Sequence, residues 1–310
     1  MSEGPRTQAD RQLPLGSEIF LDHVGHFVRD PQAASRALAR AGFAPTPISV
    51  QTQPDPNGGA PLLTGTGNVT AMLTRGYVEV LFNTANTPLG RELDAAIARH
   101  AGVHLVAFAV TDAARAHARL SESGFRMRPV VEMQRPVDTG GVGGIAAFTV
   151  ARLEPGEMPE GRIQILTHRT EDMVWQPRWL SHPNGAFGLA RVMIAVSDVS
   201  EATERFARLT GRVARASALG PTVDLDRGGV DLLTAASFSQ LLPEIPIPSL
   251  PFIGAYALSV RSLEVTGRML TQGGLGVRPL GASLVATFPE ELGRGAWIFS
   301  GPNAASGDPL

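Results

Sequence analysis

The sequence predicts an α+β fold made of four βαβββ modules, because one pattern of residues occurs four times along the chain. In each copy a strand ends at a helix-capping residue, a short helix follows, and a glycine closes the helix 12 or 13 residues after the cap. The predicted caps are Asp30, Asp112, Asp198 and Ser262, and the closing glycines are Gly42, Gly124, Gly211 and Gly274. Extended segments rich in Val, Ile and Thr then complete each copy.

The individual elements follow from this pattern in order. Side-chain oxygens at the four caps satisfy free N–H groups at the helix start, and glycine suits the left-handed residue at the helix end. The last strand of each module starts at a glycine, in residues 76–81, 161–166, 229–233 and 295–299. An additional helix begins at Thr87-Pro88, with Leu89, Leu93 and Ile97 on one face.

Segments rich in Pro and Gly place the predicted domain boundaries. We expect a flexible N-terminal tail over 1–17, an N-terminal domain of two modules over 18–170 and a linker over 171–187. A C-terminal domain of two modules follows over 188–301, with a flexible tail over 302–310.

Composition excludes several kinds of chemistry. The 310 residues include no Cys and no Lys, and all 27 basic residues are Arg. Thiol nucleophiles, iron–sulfur clusters, lysine Schiff bases and a Walker-type phosphate lysine are therefore ruled out. The formal net charge of −2 gives no electrostatic reason to expect nucleic acid, and no apolar run is long enough to span a membrane. We expect a cytoplasmic protein, either a monomer or a homodimer, that acts on a small molecule.

Two motifs carry a family resemblance. The first strand contains Leu21-Asp22-His23-Val24, and the first module ends in Tyr77-Val78-Glu79-Val80. With the paired modules, these resemble the vicinal oxygen chelate superfamily, which includes glyoxalase I, extradiol dioxygenases and bleomycin-resistance proteins. The segment 168–185, with Trp175, Trp179 and His182-Pro183-Asn184-Gly185, is similar to that of bacterial glyoxalase-like proteins. The resemblance implies two tandem domains of this type.

Alternation along strands predicts a metal site in the N-terminal domain. Residues i and i+2 share a face of a strand, so Glu79 should face the concave side while Val78 and Val80 pack under the helix. Pairing of the two modules would bring His23, Glu79 and His104 together as ligands of one divalent ion. These positions, with Gln164, match the superfamily's ligand positions. The predicted cofactor is Fe²⁺, Mn²⁺, Zn²⁺ or Ni²⁺.

Neighbouring residues refine this interpretation. Gln164 stands where glyoxalase I has a glutamate that ligates metal and transfers protons, and an amide cannot act as a general base. We therefore expect dioxygenase or lyase chemistry rather than glyoxalase isomerisation. Tyr77 and His168 are candidate catalytic groups, whereas Arg162 and Gln164 are candidates for binding the substrate.

The C-terminal domain should lack this site. Arg191 replaces His23, Asp231 replaces Glu79 and Gly254 replaces His104, so an Arg191–Asp231 salt bridge is expected instead of a metal. Two alternatives to an enzyme remain open. One is a metal-free binding protein of the bleomycin-resistance type, and the other is a vestigial site in a structural protein.

Overall fold

The computed structural model describes residues 11–53, 55, 57–141 and 143–302, and it contains two sheets of eight strands each. Most of the two predicted tails, residues 1–10 and 303–310, lies outside the described residues. Within the described part of the chain, no helix is both long and apolar enough to cross a membrane. The mixed α/β architecture agrees with two tandem domains of the vicinal oxygen chelate type.

The first sheet closes into a barrel with strand order β1-β4-β3-β2-β6-β7-β8-β5. Its first half contains β1 (Ile19–Phe27), α1 (Pro31–Arg40), β2 (Ser49–Gln53), β3 (Leu62–Met72) and β4 (Tyr77–Asn83). After α2 (Pro88–Arg99), its second half contains β5 (Gly102–Val110), α3 (Ala113–Glu122), β6 (Val131–Val137), β7 (Gly144–Arg152) and β8 (Arg162–His168). The central strands β1 and β5 pair antiparallel, and each pairs in parallel with the last strand of its own half.

The second sheet remains open, with strand order β10-β11-β12-β9-β13-β16-β15-β14. A helix α4 (Glu171–Val174) and a 3₁₀ turn (Pro177–Trp179) connect it to the barrel. Its elements are β9 (Ala186–Val196), α5 (Val199–Thr210), β10 (Ala214–Ala216), β11 (Pro221–Asp224), β12 (Gly229–Thr234), α6 (Ala235–Leu241), β13 (Phe252–Val260), α7 (Leu263–Gln272), β14 (Arg278–Leu280), β15 (Ser283–Thr287) and β16 (Ala296–Ser300).

The predicted helix ends are confirmed at all four helices of the repeated pattern. The side chains of Asp30, Asp112, Asp198 and Ser262 each accept a hydrogen bond from a backbone N–H in the first turn of the helix that follows. The four closing glycines adopt positive φ angles between 68° and 86°. Thr87 caps α2 in the same way. Local capping chemistry therefore fixes where each helix begins and ends.

The barrel and the second sheet share one continuous apolar core and a buried polar network. His26 on β1 forms hydrogen bonds through Nδ1 with the Leu292 carbonyl (2.8 Å) and through Nε2 with the Tyr256 hydroxyl (2.9 Å). Trp297 Nε1 donates to the same hydroxyl at 2.6 Å. Because a carbonyl only accepts, Nδ1 of His26 carries the proton and Nε2 accepts from Tyr256. This network joins the first strand of the barrel to the second sheet.

Neutral His26 makes stability depend on pH. Burial lowers the pKa of His26 from 6.5 to about 4. The unfolded chain therefore binds more protons than the folded chain between these values, and stability falls as the pH drops from about 6.5 to about 4. The contribution of His26 to this loss is about 3 kcal/mol.

The variant His26→Gln tests this dependence by urea unfolding at pH 7 and at pH 4.5. We expect the loss of unfolding free energy between these pH values to shrink by about 2 kcal/mol relative to the parent protein. His117→Gln, on α3 outside this network, is the control and should keep the parent dependence. An unchanged pH dependence in His26→Gln would show that His26 is not the responsible group.

Candidate active site

The inward faces of the barrel strands enclose a cavity with mixed polar and apolar walls. Its lining residues are His23, Gln51, Thr66, Asn68, Tyr77, Glu79, Leu81, Leu89, Leu105, Met133, Gln134, Arg135, Phe148, Val150, Arg152, Arg162, Gln164 and Leu166. Helix α2 packs Leu93, Ala96 and Ile97 against apolar residues of the barrel, in the same cluster as Leu81 and Leu105. The cavity is therefore formed by both halves of the barrel, with α2 packed beside it.

The alternation predicted for the last strand of each half is observed. Tyr77, Glu79 and Leu81 on β4 line the cavity, whereas Val78 and Val80 belong to the apolar core. On β8, Arg162, Gln164 and Leu166 line the cavity, and Ile163 and Ile165 face the core. Because these are the period-2 positions of an extended strand, the sequence alone predicts which side chains reach the cavity.

His23 is held by a buried carboxylate. The pairing of β1 with β5 shifts register between Leu21 and His23. Asp22 is fully buried, and its Oδ2 accepts from His23 Nδ1 at 2.7 Å. This bond fixes the proton of a neutral His23 on Nδ1 and leaves the lone pair on Nε2, which lies 3.5 Å from Glu79 Oε2. His23 thus presents a basic nitrogen beside the cavity.

His168 does not line the cavity, although it contributes to the site through Asp22. Its Nε2 donates to Asp22 Oδ1 at 2.9 Å, so one carboxylate accepts from two imidazoles. Burial raises the pKa of Asp22, but the electrostatic attraction of the His168 and His23 rings and the hydrogen bonds they donate outweigh it and hold this pKa well below its ordinary value. Asp22 is therefore ionised, and His168 positions it.

Tyr77 stacks on the imidazole of His23, with ring centroids 4.3 Å apart. Burial, together with the negative charges of Asp22 and Glu79, raises the pKa of Tyr77 well above 10. Its hydroxyl therefore keeps its proton at neutral pH. Next to this pair, Asn68 Nδ2 donates to Glu79 Oε1 at 2.6 Å and holds that carboxylate in place.

His104 does not join His23 and Glu79, which corrects the predicted ligand set. Its Nε2 donates to the His100 carbonyl at 2.7 Å, and its ring stacks on His100 with centroids 4.1 Å apart. Leu105, the next residue, lines the cavity in its place. Burial lowers the pKa of His104 to about 3, so the ring is neutral and acts as a donor to a backbone carbonyl.

His104 points away from the cavity because the two halves of the barrel are offset by one residue. His23 lies seven residues before the helix cap Asp30, whereas the residue seven before Asp112 is Leu105. Strand pairing agrees with this count, because His23 pairs with Tyr77 and Leu105 pairs with Arg162 at the start of the last strand of each half. A shift of one residue turns a side chain to the other face of a strand.

The cavity residues consequently do not fit the predicted metal centre. Among the described residues, no group of three His, Asp or Glu side chains is arranged to hold a metal ion. His23 and Glu79 face each other, but Gln164 supplies only a weak amide oxygen, and His104 is directed elsewhere. The ligand set of two imidazoles and one carboxylate is not assembled.

In the described part of the second sheet, the polar positions that correspond to the barrel site are paired and the face that carries them is covered. Arg191 Nε donates to both carboxylate oxygens of Asp231 at 3.0 and 2.9 Å, which confirms the predicted salt bridge. Phe238 and Leu241 of α6 pack against Met193 and Ala195 on the face of β9 that carries Arg191. A Cβ atom at Gly254 would lie 2.3 Å from Phe238, so a side chain there would require the neighbouring rings to move.

Sequence reasoning missed several polar residues of the site, among them Asp22, Asn68, Arg135 and Arg152. Asp22 lies beside His23 in the sequence, where alternation assigns it to the opposite face, and the register shift overrides that rule. Asn68 could be recognised from its alternation with Thr66 and Thr70 on β3. Arg135 and Arg152 gave no signal, since the register of β6 and β7 was unknown.

Solved structures with the same fold cover nearly the whole chain. A hypothetical protein from Staphylococcus aureus has a TM-score of 0.64 at 8% identity, with 91% of this chain and 99% of that chain covered. A triple mutant of 4-hydroxymandelate synthase from Streptomyces coelicolor has a TM-score of 0.57 at 14% identity, covering 91% and 92%. A xylose isomerase-like TIM barrel/4-hydroxyphenylpyruvate dioxygenase fusion protein reaches 0.57 at 8% identity, covering 95% of this chain and 50% of that one. At these identities the likeness establishes the fold alone.

The family follows from the sequence match. The family described as "Glyoxalase-like domain" matches residues 21–210, which is more than half of the chain. The protein therefore belongs to that family, and the resemblance to the vicinal oxygen chelate superfamily is confirmed. No curated protein sequence matches the chain significantly.

Proposed function

We propose that the barrel cavity is the active site of an enzyme in which His23 removes a proton from a small substrate with two adjacent oxygens. The observation that carries the proposal is the bond between His23 Nδ1 and buried Asp22, which leaves Nε2 as the base beside the cavity. Carboxylate–imidazole pairs of this kind hold a histidine in the tautomer that accepts protons. The family match and the fold of the structural neighbours support a vicinal oxygen chelate enzyme.

The proposed step is abstraction of a proton from a carbon next to a carbonyl group. Nε2 of His23 takes the proton, and the electron pair of the broken C–H bond moves onto the carbonyl oxygen as an enolate. Tyr77, whose hydroxyl stays protonated, is the proposed donor to that oxygen. Collapse of the enolate with departure of a leaving group is a lyase reaction, which requires no second base at Gln164.

No step of this proposal passes through a metal ion. Dioxygenase chemistry and the predicted divalent cofactor both depended on His104 completing a ligand set, and that side chain bonds to a carbonyl outside the cavity. We also interpret the four successive runs of strand, helix and three strands as duplicated modules, of which the first pair retains the site.

A binding protein is the second candidate, since seven apolar side chains line the cavity: Leu81, Leu89, Leu105, Met133, Phe148, Val150 and Leu166. Such walls suit the trapping of an apolar ligand without chemistry. In that case Asp22 and His23 would serve only as a buried polar contact.

Proton exchange with solvent separates the two candidates. The purified protein is incubated in D₂O with 2-oxobutanoate, 2-oxo-4-phenylbutanoate or hydroxyacetone, and loss of the C–H signal next to the carbonyl is followed by ¹H NMR. We expect exchange above the buffer rate for at least one compound, both in the parent protein and in the variant His104→Gln. Exchange at the buffer rate for all three would contradict the proposal and favour the binding protein.

A further inference from the structure

Three arginines line the cavity, and Glu79 is the one carboxylate among the described residues that line it. Arg152 and Arg162 lie on the neighbouring strands β7 and β8, and Arg135 lies on β6. Glu79 is already engaged by Asn68 and lies near His23. The cavity therefore has an excess of positive charge that its own walls do not neutralise.

Arg152 forms no ion pair with a carboxylate of the described residues, and Glu92 and Glu79 act on its charge only at longer range. Its Nε is buried without a hydrogen-bond acceptor, and its Nη2 donates to the thioether of Met133 at 3.0 Å. A sulfur atom is a weak acceptor, and a buried guanidinium without an acceptor is costly. The Arg152 guanidinium can therefore donate hydrogen bonds to a bound anion.

The positive charge of Arg162 is only weakly neutralised by a carboxylate. Its Nη2 lies 3.5 Å from Glu92, whose carboxylate is bound more closely, at 2.8 Å, by Arg128. The guanidinium also lies over the ring of Phe27, 5.2 Å from its centroid. Burial and the nearby charge of Arg152 lower the pKa of Arg162 to about 10, so a bound anion would stabilise its charged form.

We propose that Arg152 and Arg162 form an oxyanion subsite, and that the cavity takes an organic anion whose apolar part packs on Leu105, Met133 and Phe148. The proposal names the substrate class for the active site proposed above. Paired guanidinium groups suit carboxylate and phosphoryl oxygens alike, because each can donate two parallel N–H bonds. The apolar lining favours a ligand that also has an apolar part, which free phosphate and acetate lack.

Isothermal titration calorimetry with three matched probes tests this subsite. The probes are 3-phenylpropanoate, 2-phenylethylphosphonate and the uncharged 3-phenylpropanamide. We expect one of the two anions to bind at least tenfold more tightly than the amide, a difference of about 1.4 kcal/mol. The tighter of the two anions identifies the oxyanion as a carboxylate or a phosphonate. Equal binding of the amide, or no binding by any probe, would overturn the proposal.

Variants locate the subsite and separate it from the proposed chemistry. Arg152→Met and Arg162→Met should each weaken binding of the anion at least tenfold, whereas replacement of the exposed Arg268 on α7 by Met should leave it unchanged. His23→Asn should retain anion binding even though it lacks the proposed base. Anion binding at parental strength in both cavity variants would overturn the subsite, whereas anion binding without proton exchange would count against the proposed function alone. If either variant fails to fold, the comparison of anion with amide in the parent protein still decides the question.

Discussion

Replacement of His23 by Asn is expected to reduce proton exchange to the buffer rate, and Asp22→Asn is expected to slow exchange about 10⁴-fold. Asp22 accepts from His23 Nδ1 and from His168 Nε2 at the same time. An asparagine can accept from only one of these donors with its carbonyl oxygen, and its amide group repels the other. His23 would then favour the tautomer with a proton on Nε2, which cannot accept another proton.

The measurement is the exchange rate by ¹H NMR, with binding of the anionic probe as the second readout. Asp22→Asn should retain binding of the probe, because Asp22 does not line the cavity. Asp94→Asn, an exposed carboxylate on α2 that accepts from Asn83, is the matched control and should exchange at the parent rate. An Asp22→Asn protein that exchanges within threefold of the parent would show that the Asp22–His23 pair is not the base.

Replacement of Arg191 by Met is expected to lower the free energy of unfolding by about 3–5 kcal/mol. Arg191 is 5% exposed and donates to Asp231 and Asp224. Although burial opposes its charge, these two carboxylates raise the pKa of Arg191 above its ordinary value. Removing the guanidinium leaves the Asp231 carboxylate buried without its partner, which costs more than the ion pair itself contributes.

Urea unfolding of single and double variants tests this account. In Arg191→Met/Asp231→Leu both charges are gone, so most of the lost unfolding free energy should return. Arg268→Met, which removes an exposed pair with Glu264, should cost less than about 1 kcal/mol. A double variant as unstable as the single one would mean that packing around Arg191, rather than the unpaired charge, determines the loss.

Local chemistry made much of the fold predictable from the sequence. Capping at Asp30, Asp112, Asp198 and Ser262 and the closing glycines depend only on residues close in sequence. Strand alternation, which is also local, predicts that four side chains point into the cavity: Tyr77, Glu79, Arg162 and Gln164. The salt bridge between Arg191 and Asp231 in the second sheet was predictable because these residues occupy the repeat positions of His23 and Glu79.

The candidate site was less predictable because it depends on register. To place His104 correctly, the offset between β1 and β5 must be known to within one residue. Counting back from Asp112 gives that offset only if the helix caps are used as the reference. Asp22 enters the site through an irregularity in strand pairing, which no sequence periodicity records. Arg135 and Arg152 lie on strands whose distance from the repeated caps varies along the chain, so only the structure shows which way these side chains point.

The central claim is that His23, without His104 and without a metal ion, is the reactive group of the cavity. Its most direct test is the proton exchange rate of protein dialysed exhaustively against a chelator, measured before and after addition of Fe²⁺, Mn²⁺, Zn²⁺ or Ni²⁺. We predict that dialysis and metal addition leave the rate unchanged, that His104→Gln keeps the parent rate, and that His23→Asn reduces it to background. A rate that is lost with the metal, returns with it, and disappears equally in His23→Asn and His104→Gln would contradict the account.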